Sequence, residues 1–173
     1  MLISSRTSRE RQTSTGTVSP IPSTPTSSNT SRNTRWANVR PRIVLCHGCF
    51  DPLHIGHVLH LEAAKRFGEI LIVAITDDDY VNKGPYRPVF QIKKRIHMLE
   101  ALRCVDATIV VKDSLQALKE VVPSIFCKGM EYADKILPED RAFCEEKGIV
   151  ILFTTEPSWS STDLLRYYES QLG

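Results

Sequence analysis

The chain has 173 residues and a formal net charge of +2, room for one globular domain and little more. The charge is uneven: residues 1–42 hold seven Arg, no Lys and a single acid, Glu10, for about +6, and the remainder sums to about −4. The domain therefore lacks the overall basic character of a nucleic-acid binder, and no apolar run has the length needed to span a bilayer, so neither nucleic acid nor membrane is expected as a partner.

Residues 1–41 are rich in Ser, Thr, Pro and Arg, as in Pro20-Ile21-Pro22-Ser23-Thr24-Pro25. Too few apolar side chains are present there to offset the entropy of ordering the backbone, which predicts a disordered tail ahead of a domain spanning 42–173. An Arg- and Ser-rich, acid-poor start also fits an organelle transit peptide. The prolines and the missing amphipathic stripe argue against that, so a cytoplasmic protein is expected, with organelle targeting as the alternative. The five cysteines are scattered and odd in number, which suits reduced thiols.

From Arg42 onward, short apolar runs alternate with amphipathic stretches. Ile43-Val44-Leu45-Cys46 reads as a buried strand. Ile55, Leu59, Ala63 and Phe67 recur every four residues as one face of a helix, with Gly68 at its stop. Ile70 to Ile75 is apolar on both faces, as a central parallel strand must be. Beyond an irregular stretch with Gly84, Pro85 and Pro88, residues Ile92, Ile96 and Leu99 mark a second helix. Ala107 to Val111 is a third strand; Leu115, Leu118 and Val122 form a third helix stopped by Pro123. A short strand at Ile125-Phe126-Cys127 precedes a helix from Pro138 to Lys147, opened by proline and closed by Gly148. Ile149 to Phe153 is the fifth strand, and Ser160 or Ser161 caps a last helix through Tyr168. Five strands alternating with helices predict a doubly wound α/β fold, Rossmann-like, with a five-stranded parallel sheet. Ligands of such sheets bind beyond the carboxyl ends of the strands, here the loops after Cys46, Thr76, Cys127 and Thr154.

The informative segment is Gly48-Cys49-Phe50-Asp51-Pro52-Leu53-His54-Ile55-Gly56-His57. It follows the first strand and opens the first helix, where free backbone N–H groups and the positive end of the dipole suit a phosphate. His54 and His57, three residues apart on a helical turn, point the same way, and Gly56 leaves room for a ligand to approach the backbone. Two imidazole donors in that position can stabilise charge developing on a transferring α-phosphate. Plainer readings stand beside this one. His60 and His97 have no such context and read as surface or packing residues, and His47 is ambiguous. Asp51 serves as a helix cap or a site residue, and Asp78 orders a site or solvates a loop. Lys93-Lys94-Arg95 is a solvated face, from which Arg95, with Arg103 further on, could reach a phosphorylated substrate. Cys46-His47-Gly48-Cys49 is a C-x-x-C pair, but no second pair lies at zinc spacing, which argues against metal or redox chemistry there.

Gly48-x-Phe50-Asp51-x-x-His54-x-Gly56-His57 resembles the signature of the cytidylyltransferase-like nucleotidylyltransferases, and the resemblance extends from Ile43 to Tyr168. Lys83-Gly84-Pro85-Tyr86-Arg87-Pro88-Val89 resembles the loop after the second strand in heptose-1-phosphate adenylyltransferases, and Ala101 to Asp106 resembles their helix-to-strand junction. Phe126-Cys127-Lys128-Gly129-Met130-Glu131-Tyr132 is similar to their Val-Lys-Gly-Gly-Asp-Tyr element, with Met130 and Glu131 as departures. Ser160-Ser161-Thr162 resembles the Ser-Thr-Thr turn that receives triphosphate oxygens. The resemblance implies that His54, His57 and Lys83 act in catalysis. It implies that Cys49, Phe50, Asp51, Gly56, Lys128, Gly129, Ser160, Ser161 and Thr162 bind the nucleotide, and that Asp78, Arg87, Arg95 and Arg103 lie toward the second substrate. The expected partners are a nucleoside triphosphate and a phosphorylated small molecule, with Mg²⁺ carried mainly by the triphosphate, in a homodimer. No protein metal ligand is assigned, since magnesium is expected to be held mostly by the triphosphate and water. The segment Thr154-Thr155-Glu156-Pro157-Ser158-Trp159-Ser160 lacks the arginine of the Arg-Thr-Glu-Gly-Ile-Ser run of glycerol-3-phosphate cytidylyltransferases, which favours ATP over CTP. His54-Ile55-Gly56-His57 also spells the motif of class I aminoacyl-tRNA synthetases. Those need a far longer chain and a second Lys-rich loop, so that reading is set aside; a nucleotide-binding regulatory module without turnover is the alternative of another class.

Overall fold

A computed structural model describes residues 40–156, 166–167 and 170–171, all within one unit of the chain, Val39–Gly173. The tail up to residue 39, the Ser160-Ser161-Thr162 turn and the start of the last helix lie outside the described residues. Five strands are present: β1 (Ile43–Gly48), β2 (Ile70–Thr76), β3 (Ala107–Val111), β4 (Ile125–Gly129) and β5 (Val150–Thr154). They form one sheet in the order β3-β2-β1-β4-β5, every pair parallel. The helices are α1 (Ile55–Lys65), α2 (Ile92–Glu100), α3 (Ser114–Val121) and α4 (Pro138–Lys147), with single 3₁₀ turns at Asp78–Tyr80 and Met130–Tyr132. No helix among the described residues is long and apolar enough to cross a membrane.

Strand alternation sorts the core into two layers. Val44, Cys46, Leu71, Val73, Ile75, Ile125 and Cys127 face Leu61 and Ala64 of α1 and Leu99 of α2. Leu45, Ala74 and Phe126 face Ala117 and Leu118 of α3 and Cys144 of α4. The chain builds outward from β1 through β2 to β3, then crosses back to β4, so the strand order reverses between β1 and β4. That reversal opens a crevice above the carboxyl ends of the two strands.

Three details differ from the sequence periodicity. The core face of α1 is Leu61, Ala63 and Ala64, and Ile55 is 53 % exposed. The helix is rotated because His54, His57 and His60, at three-residue spacing, occupy its cleft side. Gly68 does not end the helix, which closes at Arg66. A Cβ at Gly68 would sit 2.5 Å from the Arg42 carbonyl oxygen, so only glycine lets the turn pass this close to β1. In α3 the buried face is Ser114, Ala117 and Leu118, and Val122 is an exposed cap in the left-handed region (φ 43°).

Candidate active site

A cleft of about 570 Å³ lies over the ends of β1 and β4. Its floor is Gly48 and Gly129, α1 presents its amino end to one side, and the segment after β2 supplies the opposite rim. A second, shallower trough of about 530 Å³ lies at the end of β3 against α3 and contains none of the motif residues.

The turn from β1 into α1 sets the geometry. Phe50 takes a left-handed backbone (φ 52°), a costly conformation for an aromatic residue that is held here because its ring is buried, at 3 % exposure. The ring lies over Gly48, where a Cβ would meet it at 3.2 Å, and edge-on to His57, with centroids 5.1 Å apart. His54 is the N-cap in extended conformation; its carbonyl accepts from the His57 amide at 3.0 Å, and the Ile55 and Gly56 amides are left free of intrahelical partners. The His54 and His57 rings stack at 3.7 Å between centroids and 23° between planes. The backbone N–H of His54 donates to Nδ1 of His57 at 3.3 Å. That bond fixes the tautomer of His57, whose Nε2 carries the hydrogen toward the cleft. Both ring nitrogens of His54 are buried without a hydrogen-bond partner among the described residues.

Burial keeps this cluster neutral. It holds the His57 imidazole down at about 3, helped by His54, Lys83 and His60, and it lowers His54 with help from Lys83. His47, at the end of β1, is lowered to about 3 by burial and by Lys128. Its Nε2 lies 3.2 Å from Thr76 Oγ1, and its carbonyl accepts from Lys128 Nζ at 3.0 Å. His60 is lowered to about 4 by burial and Lys128, and its Nδ1 lies 2.6 Å from Thr154 Oγ1. Burial likewise lowers Lys128, against the pull of Asp140, and its ammonium sits 5.4 Å over the Tyr132 ring. The result is a wall of neutral imidazoles in a cleft that Lys83 and Lys128 also line.

Of the residues read from sequence, His54, His57, Lys83, Cys49, Phe50, Gly56, Lys128 and Gly129 line this cleft. The exposed Glu131 side chain folds back over Gly129, where a Cβ would displace the end of that flexible carboxylate. Others are placed elsewhere. Asp51 is wholly buried and accepts from Arg87 Nε (2.9 Å), Val89 N (2.7 Å) and Phe90 N (2.8 Å), so it ties the loop after β2 to the motif turn and neither caps α1 nor faces the cleft. Arg87 is consumed in the same knot, also donating to the Asp51 carbonyl. Arg95 corrects the expectation of a solvated basic face: Lys93 and Lys94 are exposed, but Arg95 is wholly buried. It donates to the carbonyls of Phe90 (2.9 Å) and Cys49 (2.7 Å) and to Asp78 Oδ1 (2.6 Å). Asp78 also accepts from Ile92 N at 3.0 Å. The hydrogen bonds of Asp78 and Arg95, and those made by Nε and Nη2 of Arg87, all go to partners inside the protein, which gives these side chains a scaffolding part in this structure. Arg103 is exposed and outside the cleft lining.

Sequence reasoning passed over His60, Thr76, Glu131, Tyr132 and Thr154, all of which line the cleft. The signal for His60 was present, since it continues the 54-57 spacing by one more step; strand-end residues such as Thr76 and Thr154 need the strand order before they converge. Cys46 and Cys49 are not a pair: Cys46 is buried beneath the sheet face that carries α1, and Cys49 lines the cleft.

Comparison with known proteins agrees with this geometry. Over 128 residues, 72 % of this chain and 27 % of the relative, the sequence is 36 % identical to Bifunctional protein HldE of Chromohalobacter salexigens. It is 40 % identical over 127 residues to Bifunctional protein HldE of Streptomyces coelicolor, covering 71 % of this chain and 27 % of that one. The matched stretch thus spans about a quarter of these curated relatives. The crystal structure of the lipopolysaccharide core biosynthesis protein from Thermoplasma volcanium GSS1 superposes with a TM-score of 0.58 at 26 % identity, covering 69 % of this chain and 100 % of that one. Residues 45–165 match the family described as cytidylyltransferase-like, and with the motif turn, the reversed strand order and the paired imidazoles in place, the chain belongs to that family.

Proposed function

We propose that the domain is a nucleotidylyltransferase that moves a nucleoside monophosphate, AMP from ATP in preference to CMP from CTP, onto a phosphorylated small molecule and releases pyrophosphate. The observation that carries this reading is the stacked His54–His57 pair at the amino end of α1, in a cleft that Lys83 and Lys128 also line. An acceptor phosphate oxygen attacks the α-phosphorus in line as the bond to pyrophosphate breaks, so no side chain need be a nucleophile. The Nε2–H of His57 and the ring of His54 donate to the non-bridging oxygens as charge builds there, assisted by the first-turn amides. Lys83 neutralises the leaving pyrophosphate from the rim, and Lys128 adds its charge within the cleft.

A magnesium ion belongs with the triphosphate and would offset its charge. Besides Glu131 and Glu156, the cleft wall offers mainly nitrogen donors, which suits an ion held by ligand oxygens and water in preference to a protein cage. A sugar 1-phosphate is the acceptor we favour, supported by a structural relative that serves lipopolysaccharide core biosynthesis. A cytidylyltransferase acting on a polyol phosphate such as glycerol 3-phosphate is the second reading. We further propose a cytoplasmic homodimer, with residues 1–41 as an appended tail, checked by sedimentation of the full chain. Pyrophosphate release over a grid of ATP and CTP against sugar and polyol phosphates tests the activity. Turnover with ATP and a sugar 1-phosphate is expected; nucleotide binding without turnover in any combination would instead identify a regulatory module.

A further inference from the structure

Beneath the floor of the cleft, three side chains converge that the proposed reaction does not use. Cys46 of β1 and Cys127 of β4 are register partners on adjacent parallel strands, so their side chains leave the same sheet face side by side. His60 reaches them from α1, one turn beyond His57. The ligand-capable atoms of Cys46, His60 and Cys127 all lie within 4.8 Å of one another, and both cysteines are wholly buried free thiols. We propose that Cys46, Cys127 and His60 bind a thiophilic divalent cation, zinc first among them, at the junction of β1, β4 and α1.

Zinc bound tetrahedrally, at about 2.3 Å to sulfur and about 2.0 Å to nitrogen, holds its ligand atoms about 3.5–3.8 Å apart. From separations of up to 4.8 Å, the triangle therefore has to contract by roughly 1.3 Å at most, within reach of rotations of three side chains. The outer shell is already built: Thr154, the last residue of β5 and 3 % exposed, engages Nδ1 of His60 at 2.6 Å. In the tautomer that donates Nδ1–H to Thr154, Nε2 presents its lone pair to the ion, the usual way a ligating imidazole is oriented. A sulfur-and-nitrogen donor set selects zinc over magnesium, so this centre is chemically separate from the ion carried by a triphosphate. Binding releases the two thiol protons as two metal–thiolate bonds form, and the three protein donors leave a fourth position for water. The ion would lock together the elements that carry Gly48, Lys128 and His57, so its role is to hold the cleft in register.

The test uses the full reduced chain, stripped of metal by a chelator and titrated with Co²⁺ and then Zn²⁺. A thiolate-to-cobalt charge-transfer band is expected, saturating at one equivalent and bleached by zinc. Cys46→Val and Cys127→Val keep the core filled and should lose the band, His60→Asn should weaken binding by at least about tenfold, and Cys49→Ala should leave the band unchanged. Zinc K-edge absorption of the wild-type protein needs no variant and should report two sulfur ligands. A folded wild-type protein with no stoichiometric band would overturn the proposal, as would a zinc shell of nitrogen and oxygen alone. So would loss of the band in Cys49→Ala with retention in Cys127→Val, because the ligands would then be the pair adjacent in sequence.

Discussion

At the scale of single residues, the proton on His57 matters more than its charge. A histidine held near 3 is neutral at any physiological pH, and one whose Nδ1 accepts a backbone N–H can only donate through Nε2. The side chain is thus a preset hydrogen-bond donor that needs no reorganisation as charge develops on the α-phosphate. His57→Ala should lower kcat by about 10²–10³-fold or more, the cost typical of removing one preorganised donor to a developing anion. The variant should stay folded, with a modestly lower thermal midpoint because the ring also packs on Phe50 and accepts the His54 N–H; near-normal pyrophosphate release would refute the role. Lys83 is exposed on the rim of the cleft, and in the proposed reaction it would touch the triphosphate before as well as during transfer. Lys83→Ala should therefore raise KM for the triphosphate with a smaller effect on kcat, and the KM effect should shrink at high salt. Both histidines and this lysine were legible in the sequence because a motif fixes local geometry by itself. The stacking of the rings and the fixed tautomer were not, since they depend on how tightly the Phe50 turn closes.

At the scale of elements, the segment from Asp78 to Arg95 is held to the motif turn by four charged side chains that are spent on each other and on backbone groups. The sequence offered them as binding residues because charge beside a phosphate motif suggests an anion. It could not show that Arg95 turns inward, since its partners lie up to 46 positions away in the chain. Among the described residues, sequence periodicity likewise located β1 to β5 and α1 to α4 but set the core faces of α1 and α3 a step out of phase. The cleft histidines claim one side of α1, and a left-handed cap removes Val122 from the end of α3. The scaffold role has a measurable signature. Asp51→Ala would strand the buried Arg87 and two backbone N–H groups, and Arg95→Ala would strand Asp78 and two carbonyls. Each should cost about 3–5 kcal/mol of stability in urea unfolding, the range for removing one partner of a buried ion pair. Neither should change the ranking of acceptor phosphates in turnover of the folded fraction. A variant of Arg95 with normal stability and a tenfold rise in KM for the acceptor alone would return this residue to the binding site.

At the scale of the whole molecule, one crevice gathers a large share of the buried imidazole, and this couples the cleft to global stability. His47 and His57 are held at about 3 and His60 at about 4, in each case mainly by burial, whereas an unfolded histidine titrates near 6.5. Above that value both states are neutral and these groups contribute no pH dependence. Between about pH 6.5 and 4 the unfolded chain takes up protons that the folded protein refuses, so stability must fall as the pH falls. Asp140 acts in the opposite sense, because burial raises its carboxyl and favours the folded state toward acid, but it is a single group against four lowered histidines, His54 included. The net slope should approach about 2–4 kcal/mol per pH unit near pH 5, given about 1.4 kcal/mol per unit for each proton. A triphosphate bound against His54 and His57 places negative charge beside imidazoles that burial and Lys83 otherwise hold neutral, which raises their proton affinity. Saturating ATP should therefore shift the acid limb of the stability curve to lower pH and draw protons from buffer on binding near pH 5. Urea midpoints measured from pH 8 to 4.5, with and without ATP, decide the point. A profile that stays flat below pH 6.5 would mean the imidazoles are already solvated, and an acid limb unmoved by nucleotide would mean the ligand sits away from them.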